Sequence, residues 1–319
     1  MALGEFELIE RYFTRPARRA VLGVGDDCAV LACAPGQQWC VSTDMLVEGR
    51  HFLATVPPQR LGHKSLAVNL SDLAACGAEP LAFTLALALP RADERFLEGF
   101  ASGLWALAER HGIDLVGGDT TAGPLNICVT VMGQVPAGAA LLRSGAQPGD
   151  ELWVSGTLGD ARAALECFRG TLAVGGEAFA SLRQALELPE PRVALGRGLR
   201  GVAHSAIDVS DGLLGDLGHV LQRSGVGARL ELEALPRSAV LAGLPPAMQQ
   251  ECLLRGGDDY ELLFSAAPAQ RDAVMSAARD AGVPVTRIGR IEAGRTLVVV
   301  DRHGAPLEVA TGGFDHFRS

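Results

Sequence analysis

Aromatic side chains are scarce in this chain: they make up 5% of 319 residues, against 39 glycines. That balance leaves few platforms for stacking bases and many positions suited to tight turns and close backbone approach. A formal net charge of -9 repels a phosphate backbone as well, so the composition excludes nucleic acid as a partner. Long apolar runs are missing too. The longest, residues 81–89, falls far short of the roughly 20 residues that a membrane-spanning helix needs. Near the N-terminus, Glu5, Glu7 and Glu10 interrupt the apolar stretch that a secretory signal requires. The cysteines (Cys28, Cys33, Cys40, Cys76, Cys128, Cys167, Cys252) are odd in number and form no C-x-x-C pair, which predicts reduced thiols inside apolar segments. These absences predict a cytoplasmic globular protein without membrane contact. With 48% hydrophobic residues, the chain is long enough for two packed domains.

Familiar catalytic motifs are absent as well. There is no G-x-x-x-x-G-K-[ST] phosphate loop, no kinase-type Gly-rich loop with an H-R-D partner, no H-E-x-x-H and no G-x-S-x-G. Gly196-Arg197-Gly198-Leu199-Arg200-Gly201 matches G-x-G-x-x-G, but it follows a helical-looking segment where a dinucleotide site needs a strand. The seven histidines are dispersed without metal-ligand spacing, although His51 lies close after Asp44 and could face the same site.

What the chain does have is carboxylates set beside small turn residues. Six clusters repeat the theme: Gly25-Asp26-Asp27, Ser42-Thr43-Asp44, Ser71-Asp72, Gly117-Gly118-Asp119-Thr120, Asp208-Val209-Ser210-Asp211-Gly212 and Gly256-Gly257-Asp258-Asp259-Tyr260-Glu261. Any one of them reads as a turn or a helix cap. Six in one chain are harder to assign to capping alone. The clusters at Asp44, Asp119 and Asp208–Asp211 follow strand-like runs, and open α/β sheets bind ligands beyond the carboxyl ends of their strands. Convergent carboxylates need cations to offset their repulsion, and hard oxygen donors suit Mg2+. Within the fifth cluster, strand alternation puts Asp208 and Ser210 on one face and sends Asp211 into the turn. Asp26 and Asp27 point opposite ways if extended, so one of the two faces a ligand.

Periodicity predicts helices over residues 5–13, 61–76 and 96–111, the second closed by Gly77, with strands around 28–31, 39–43, 81–89, 113–116 and 127–135. Turn-rich segments at 136–138 and 147–150 precede a second unit. There the pattern predicts strands at 151–155, 205–209, 262–265, 286–291 and 296–301, and helices from Asp160 and over 213–223. Alternating strands and helices favour layered α/β or α+β domains.

Read in order, the segments Gly-Val-Gly-Asp-Asp-Cys-Ala at 23–29, Ser-Thr-Asp-Met-Leu-Val-Glu-Gly-Arg-His-Phe at 42–52, Ala-Val-Asn-Leu-Ser-Asp-Leu-Ala-Ala at 67–75, Gly-Gly-Asp-Thr-Thr at 117–121, Ile-Asp-Val-Ser-Asp-Gly-Leu at 207–213 and Gly-Gly-Asp-Asp-Tyr-Glu-Leu at 256–262 strongly resemble the thiamine-monophosphate kinase family. The resemblance runs from Gly4-Glu5-Phe6 to Phe314-Asp315-His316-Phe317. It implies an α/β plus α+β, two-domain, aminoimidazole-ribonucleotide-synthetase-like fold. In that fold an N-terminal domain, residues 1–140, binds Mg/ATP and dimerises, and a C-terminal α+β domain, residues 141–319, completes the ATP and substrate site. The implied activity is transfer of the ATP γ-phosphoryl group to thiamine monophosphate, the last step of thiamine diphosphate biosynthesis. Several Mg2+ ions are implied, with ligands at Asp27, Ser42, Thr43, Asp44, Asp72, Asp119, Asp208 and Asp211. ATP contacts are implied at Gly118, Asp119, Arg143 and Ser210, and substrate contacts at His51, Asp258 and Phe314. Asp258 stands where the family commonly has Glu, and Phe314 where other members have Trp or Tyr.

The acceptor in such a reaction is a phosphate monoester with a second pKa near 6, roughly, so it is largely ionised at neutral pH. No general base is needed. Catalysis is then expected from positioning and metal electrostatics, by direct in-line transfer without a phospho-enzyme and without a catalytic side chain. Related ATP-dependent synthetases share the Gly-Asp pattern but use a reactive cysteine near one terminus; the last cysteine here is Cys252. A non-catalytic nucleotide- or metal-binding module is the alternative of a different class.

Overall fold

The computed structural model describes residues 5–21, 24, 29 and 31–309. The whole first cluster, Gly25-Asp26-Asp27, and Phe314 lie outside the described residues, as does part of the strand expected at 28–31. The chain divides into two compact units, Met1–Leu73 with Ala78–Gly138, and Ala74–Gly77 with Ala139–Ser319.

The first unit begins with α1 (Glu5–Leu8), which passes into a π-helical turn, Ile9–Phe13, in place of one regular helix. It continues with β1 (Gln37–Val47), α2 (Pro58–Ala75), β2 (Glu79–Leu89), α3 (Glu94–His111), β3 (Asp114–Ala122) and β4 (Asn126–Pro136). The strands form one mixed sheet in the order β1-β4-β2-β3, with only β2 and β3 parallel. Helix α3 starts where the Asp93 carboxylate accepts the Phe96 N–H at 3.2 Å and stops at left-handed Gly112. Its apolar stripe, Leu97, Phe100, Leu104 and Leu107, is fully buried. Helix α2 buries Leu61, Leu66, Leu70 and Leu73 in the same way.

The second unit contains β5 (Glu151–Ser155), α4 (Asp160–Phe168), α5 (Gly176–Glu187), α6 (Val193–Gly198), β6 (Ser205–Asp208), α7 (Leu213–Ser224), β7 (Gly227–Glu231), α8 (Ala239–Ala242), α9 (Pro246–Arg255), β8 (Leu262–Ala266), α10 (Arg271–Ala281), β9 (Val285–Glu292) and β10 (Leu297–Val300). Its six strands run β10-β7-β9-β5-β8-β6, antiparallel except for β10 with β7. Leu152, Val154, Ile207 and Leu263 from the sheet share a core with Leu213, Leu217 and Val220 of α7 and with Leu253 of α9. Trp153 and Phe264 point the other way and stack, with centroids 6.5 Å apart.

Two strands outrun the sequence pattern. β3 extends through Gly117-Gly118-Asp119 to Ala122, and β1 extends to Val47, so Asp119 and Asp44 lie inside strands and not beyond their ends. Glycine is a poor strand former. The ladder to β2, which sets Asp119 opposite Ala86, supplies the hydrogen bonds that local propensity does not favour.

Candidate functional site

In the first unit, strand alternation sorts the second cluster onto two faces. Ser42 donates its hydroxyl to Asp72 Oδ2 of α2 at 2.5 Å, and the Asp44 N–H donates to Asn69 Oδ1 of the same helix at 3.0 Å. Ser42, Asp44, Asn69 and Asp72 therefore gather where β1 meets α2. Thr43 projects from the opposite face of β1 and pairs its hydroxyl with that of Thr130 on β4 at 2.9 Å. The Thr43 carbonyl points opposite to the Asp44 N–H across their trans peptide, into the β4 ladder, so neither its side chain nor its carbonyl turns toward Asn69. His51 follows β1, and its Nδ1 accepts the Val47 N–H at 3.0 Å, which leaves the proton of the neutral ring on Nε2.

Gly118 and Asp119 sit side by side on β3. Gly118 has φ of +149°, and a Cβ there would land 1.9 Å from the Leu85 carbonyl oxygen. Only glycine lets β3 run so close to β2 while leaving this stretch open to a ligand. Asp119 is solvent-exposed beside it.

In the second unit, Asp208 closes β6 and is buried. The two clusters that follow are tied together by backbone. The Val209 N–H donates to the Glu261 carbonyl, the Asp258 N–H to the Ser210 carbonyl and the Tyr260 N–H to the Val209 carbonyl, each at 2.8 Å. A buried carboxylate underpins the turn: Asp216 Oδ2 accepts the N–H groups of Ser210 and Asp211 at 3.0 and 3.1 Å. Burial pushes the Asp216 carboxyl up to about 7, and the charge of Asp211 adds to the effect; those two N–H groups and the Arg143 guanidinium oppose it. Arg143, exposed on the segment before β5, is thus within electrostatic reach of the same turn.

The donor set fits Mg2+. Ser42, Asp44, Asp72, Asp119, Asp208 and Asp211 all offer hard oxygens. Among the described residues no three His, Cys, Asp or Glu side chains group to hold a metal by themselves. Mg2+ characteristically binds through one or two carboxylates plus substrate phosphates and water, which matches a dispersed set better than an all-protein cage.

Sequence reasoning missed the supports. Asn69 sits inside the Ala-Val-Asn-Leu-Ser-Asp segment and was not singled out from it. Asp216 lies on the apolar stripe of α7, among Leu213, Leu217 and Val220 at helical spacing, and an acid on such a stripe is the signal that finds it.

Comparison with known proteins identifies the family. The AIR synthase related protein N-terminal domain family matches residues 25–135, and its C-terminal domain family matches residues 147–302. The thiamine-monophosphate kinases of Salmonella typhimurium and Escherichia coli K12 are each 46% identical over 322 residues, covering 99% of both chains. The crystal structure of thiamine-monophosphate kinase from Stenotrophomonas maltophilia is 48% identical and superposes with a TM-score of 0.86, over 94% of this chain and 97% of that one. The structure of AaThiL complexed with AMPPCP and TMP is 31% identical, with a TM-score of 0.77 over 90% of this chain and 89% of that one.

Proposed function

We propose, since this chain belongs to the thiamine-monophosphate kinase family, that its carboxylate clusters serve one reaction: transfer of the ATP γ-phosphoryl group to the phosphate of thiamine monophosphate. The observation that carries this reading is the pairing of two turns in the second unit. The Asp258 N–H on the Ser210 carbonyl at 2.8 Å sets a residue assigned to thiamine monophosphate next to one assigned to ATP. The likeness to a structure holding AMPPCP and TMP together supports the same pair of ligands.

The roles are those that the family resemblance implies. Gly118, Asp119, Arg143 and Ser210 contact ATP; His51, Asp258 and Phe314 contact thiamine monophosphate. Asp27, Ser42, Thr43, Asp44, Asp72, Asp119, Asp208 and Asp211 would hold several Mg2+ ions. Bound Mg2+ supplies charge neutralisation between two polyanions and polarises the γ-phosphoryl group. Arg143 adds a fork of donors for phosphate oxygens. An oxygen of the acceptor phosphate forms the new bond to the γ-phosphorus as the bond to the β,γ-bridging oxygen breaks and ADP leaves. The acceptor oxygen is already ionised, so no side chain has to remove a proton. The segment 1–140 then acts as the Mg/ATP and dimerisation domain and 141–319 as the α+β domain that completes the site, in the cytoplasm.

The exposed apolar strip on β1 supports a homodimer. Val41 and Met45 of β1 are 61% and 53% exposed on the face that also carries Trp39, and such an apolar strip is a natural seat for a second copy.

Incubation with ATP, Mg2+ and thiamine monophosphate, followed by mass spectrometry, tests the reading. Thiamine diphosphate and ADP in equal amounts are expected; ATP hydrolysis without thiamine diphosphate, or no turnover, would refute it. Asp72→Asn is expected to abolish turnover while keeping the melting temperature of the parent protein.

A further inference from the structure

The turn that carries Asp258 is held in a conformation that side chains disfavour. Asp258 and Tyr260 have φ of 68° and 51°, and among the described residues they are the only non-glycine positions with positive φ. Such strain persists only where the surroundings over-determine it. Here they do so at both ends and in the middle.

At the upstream end the turn is bound to the Val209–Ser210 backbone by the hydrogen bonds already described. In the middle, both oxygens of Asp259 face the Gly159 N–H at 2.9 and 3.0 Å. At the downstream end, the buried Glu261 carboxylate takes three donors: Arg192 Nε at 2.7 Å, Arg192 Nη2 at 2.5 Å and the Ser155 hydroxyl at 2.5 Å. Ser155 in turn accepts the Leu262 N–H at 2.8 Å. The carboxylate also lies flush on the Gly156 backbone, where a Cβ would come within 1.9 Å of Glu261 Oε1. A buried ion pair adds little net stability compared with apolar packing. A bidentate pair does add orientation, because the guanidinium fork admits one geometry. Within the turn, the Tyr260 hydroxyl donates to Asp258 Oδ1 at 3.1 Å, so one strained residue fixes the rotamer of the other.

We propose that Tyr260, Glu261 and Arg192 are positioning residues for thiamine monophosphate: the Arg192–Glu261 pair locks the end of the turn, and the Tyr260 hydroxyl holds the Asp258 carboxylate in the orientation that meets the substrate. The proposal rests on the assignment of Asp258 as a substrate contact, and it deepens that assignment by naming what aims the carboxylate.

Steady-state kinetics with thiamine monophosphate and ATP varied separately tests it. Tyr260→Phe keeps the ring and removes only the hydroxyl; it is expected to raise KM for thiamine monophosphate about tenfold, the effect of one lost hydrogen bond to a charged group. KM for ATP and the melting temperature are expected to stay at the parent values. Arg192→Lys, which keeps the charge and loses the fork, is expected to move the same KM in the same direction. The double variant Asp258→Ala/Tyr260→Phe is expected to be no worse than Asp258→Ala alone, because Tyr260 acts through Asp258. An unchanged KM for thiamine monophosphate in Tyr260→Phe, or fully additive effects in the double variant, overturns the proposal. If Asp258→Ala itself leaves that KM unchanged, the substrate assignment falls; if Asp258→Ala raises it and Tyr260→Phe does not, the clamp alone falls.

Discussion

Asp259 accepts the backbone N–H of Gly159, the residue that opens α4, and so caps from a distance a helix whose own N-cap has no side chain to offer. The first N–H groups of a helix need such an acceptor, and a carboxylate also complements the positive end of the helix dipole. Burial nevertheless drives the Asp259 carboxyl well above the usual carboxylate range; the Gly159 N–H opposes this, while the charges of Glu261, Asp160 and Asp258 reinforce it.

A pH-dependent stability difference follows. A carboxyl whose folded pKa is raised adds stability that is fully present below its unfolded pKa, about 3.9, and is lost as pH rises through the folded value. Asp259→Asn keeps an acceptor for Gly159 and removes the ionisation. Its melting temperature relative to the parent is expected to become progressively more favourable as pH rises from the acid range, because the parent alone bears the cost of a buried carboxyl that resists ionisation. Parallel melting-temperature curves over that rise would count against the assignment.

Asp216 holds the Ser210–Asp211 turn through two N–H groups. Asp216→Ala leaves both without their acceptor, at about 1–3 kcal/mol for each buried group left unpaired. The expected result is a fall of at least about tenfold in kcat/KM for ATP, with most activity retained in Asp216→Asn, whose amide oxygen still accepts. Equal activity in the Ala variant and the parent would remove Asp216 from the support of the site.

Gly118→Ala places a Cβ on the Leu85 carbonyl at a backbone angle that L side chains rarely adopt. Overpacking and strain together are expected to cost roughly 2 kcal/mol or more, read from denaturant unfolding. A loss below about 0.5 kcal/mol, typical of a neutral surface change, would contradict the close approach of β2 and β3.

Val41→Asp puts a charge in the middle of the exposed strip of β1. Light scattering is expected to show a dimer for the parent and a monomer for the variant, because an uncompensated charge in a dry interface is strongly unfavourable. Dimers of equal strength would move the interface elsewhere.

Much of this protein was legible without coordinates. Long helices with clean periodicity and capping residues, such as α3 between Asp93 and Gly112, follow from local rules, because every interaction that starts and stops them lies within a few residues. The ordered clusters from Gly25 to Glu261 were enough to establish the family and with it the chemistry, since motif order is a property of the chain itself. Three-dimensional pairing decided the rest. Strand alternation parted Thr43 from Ser42 and Asp44, the β2 ladder drew Gly118 and Asp119 into a strand, the turn into α7 set Asp216 under the Ser210 and Asp211 N–H groups, and contacts between distant segments gave Asp259 and Glu261 their partners. A buried carboxylate and a surface one are the same letter in sequence. Their roles separate only when folding supplies, or withholds, the N–H and guanidinium donors that repay their loss of water.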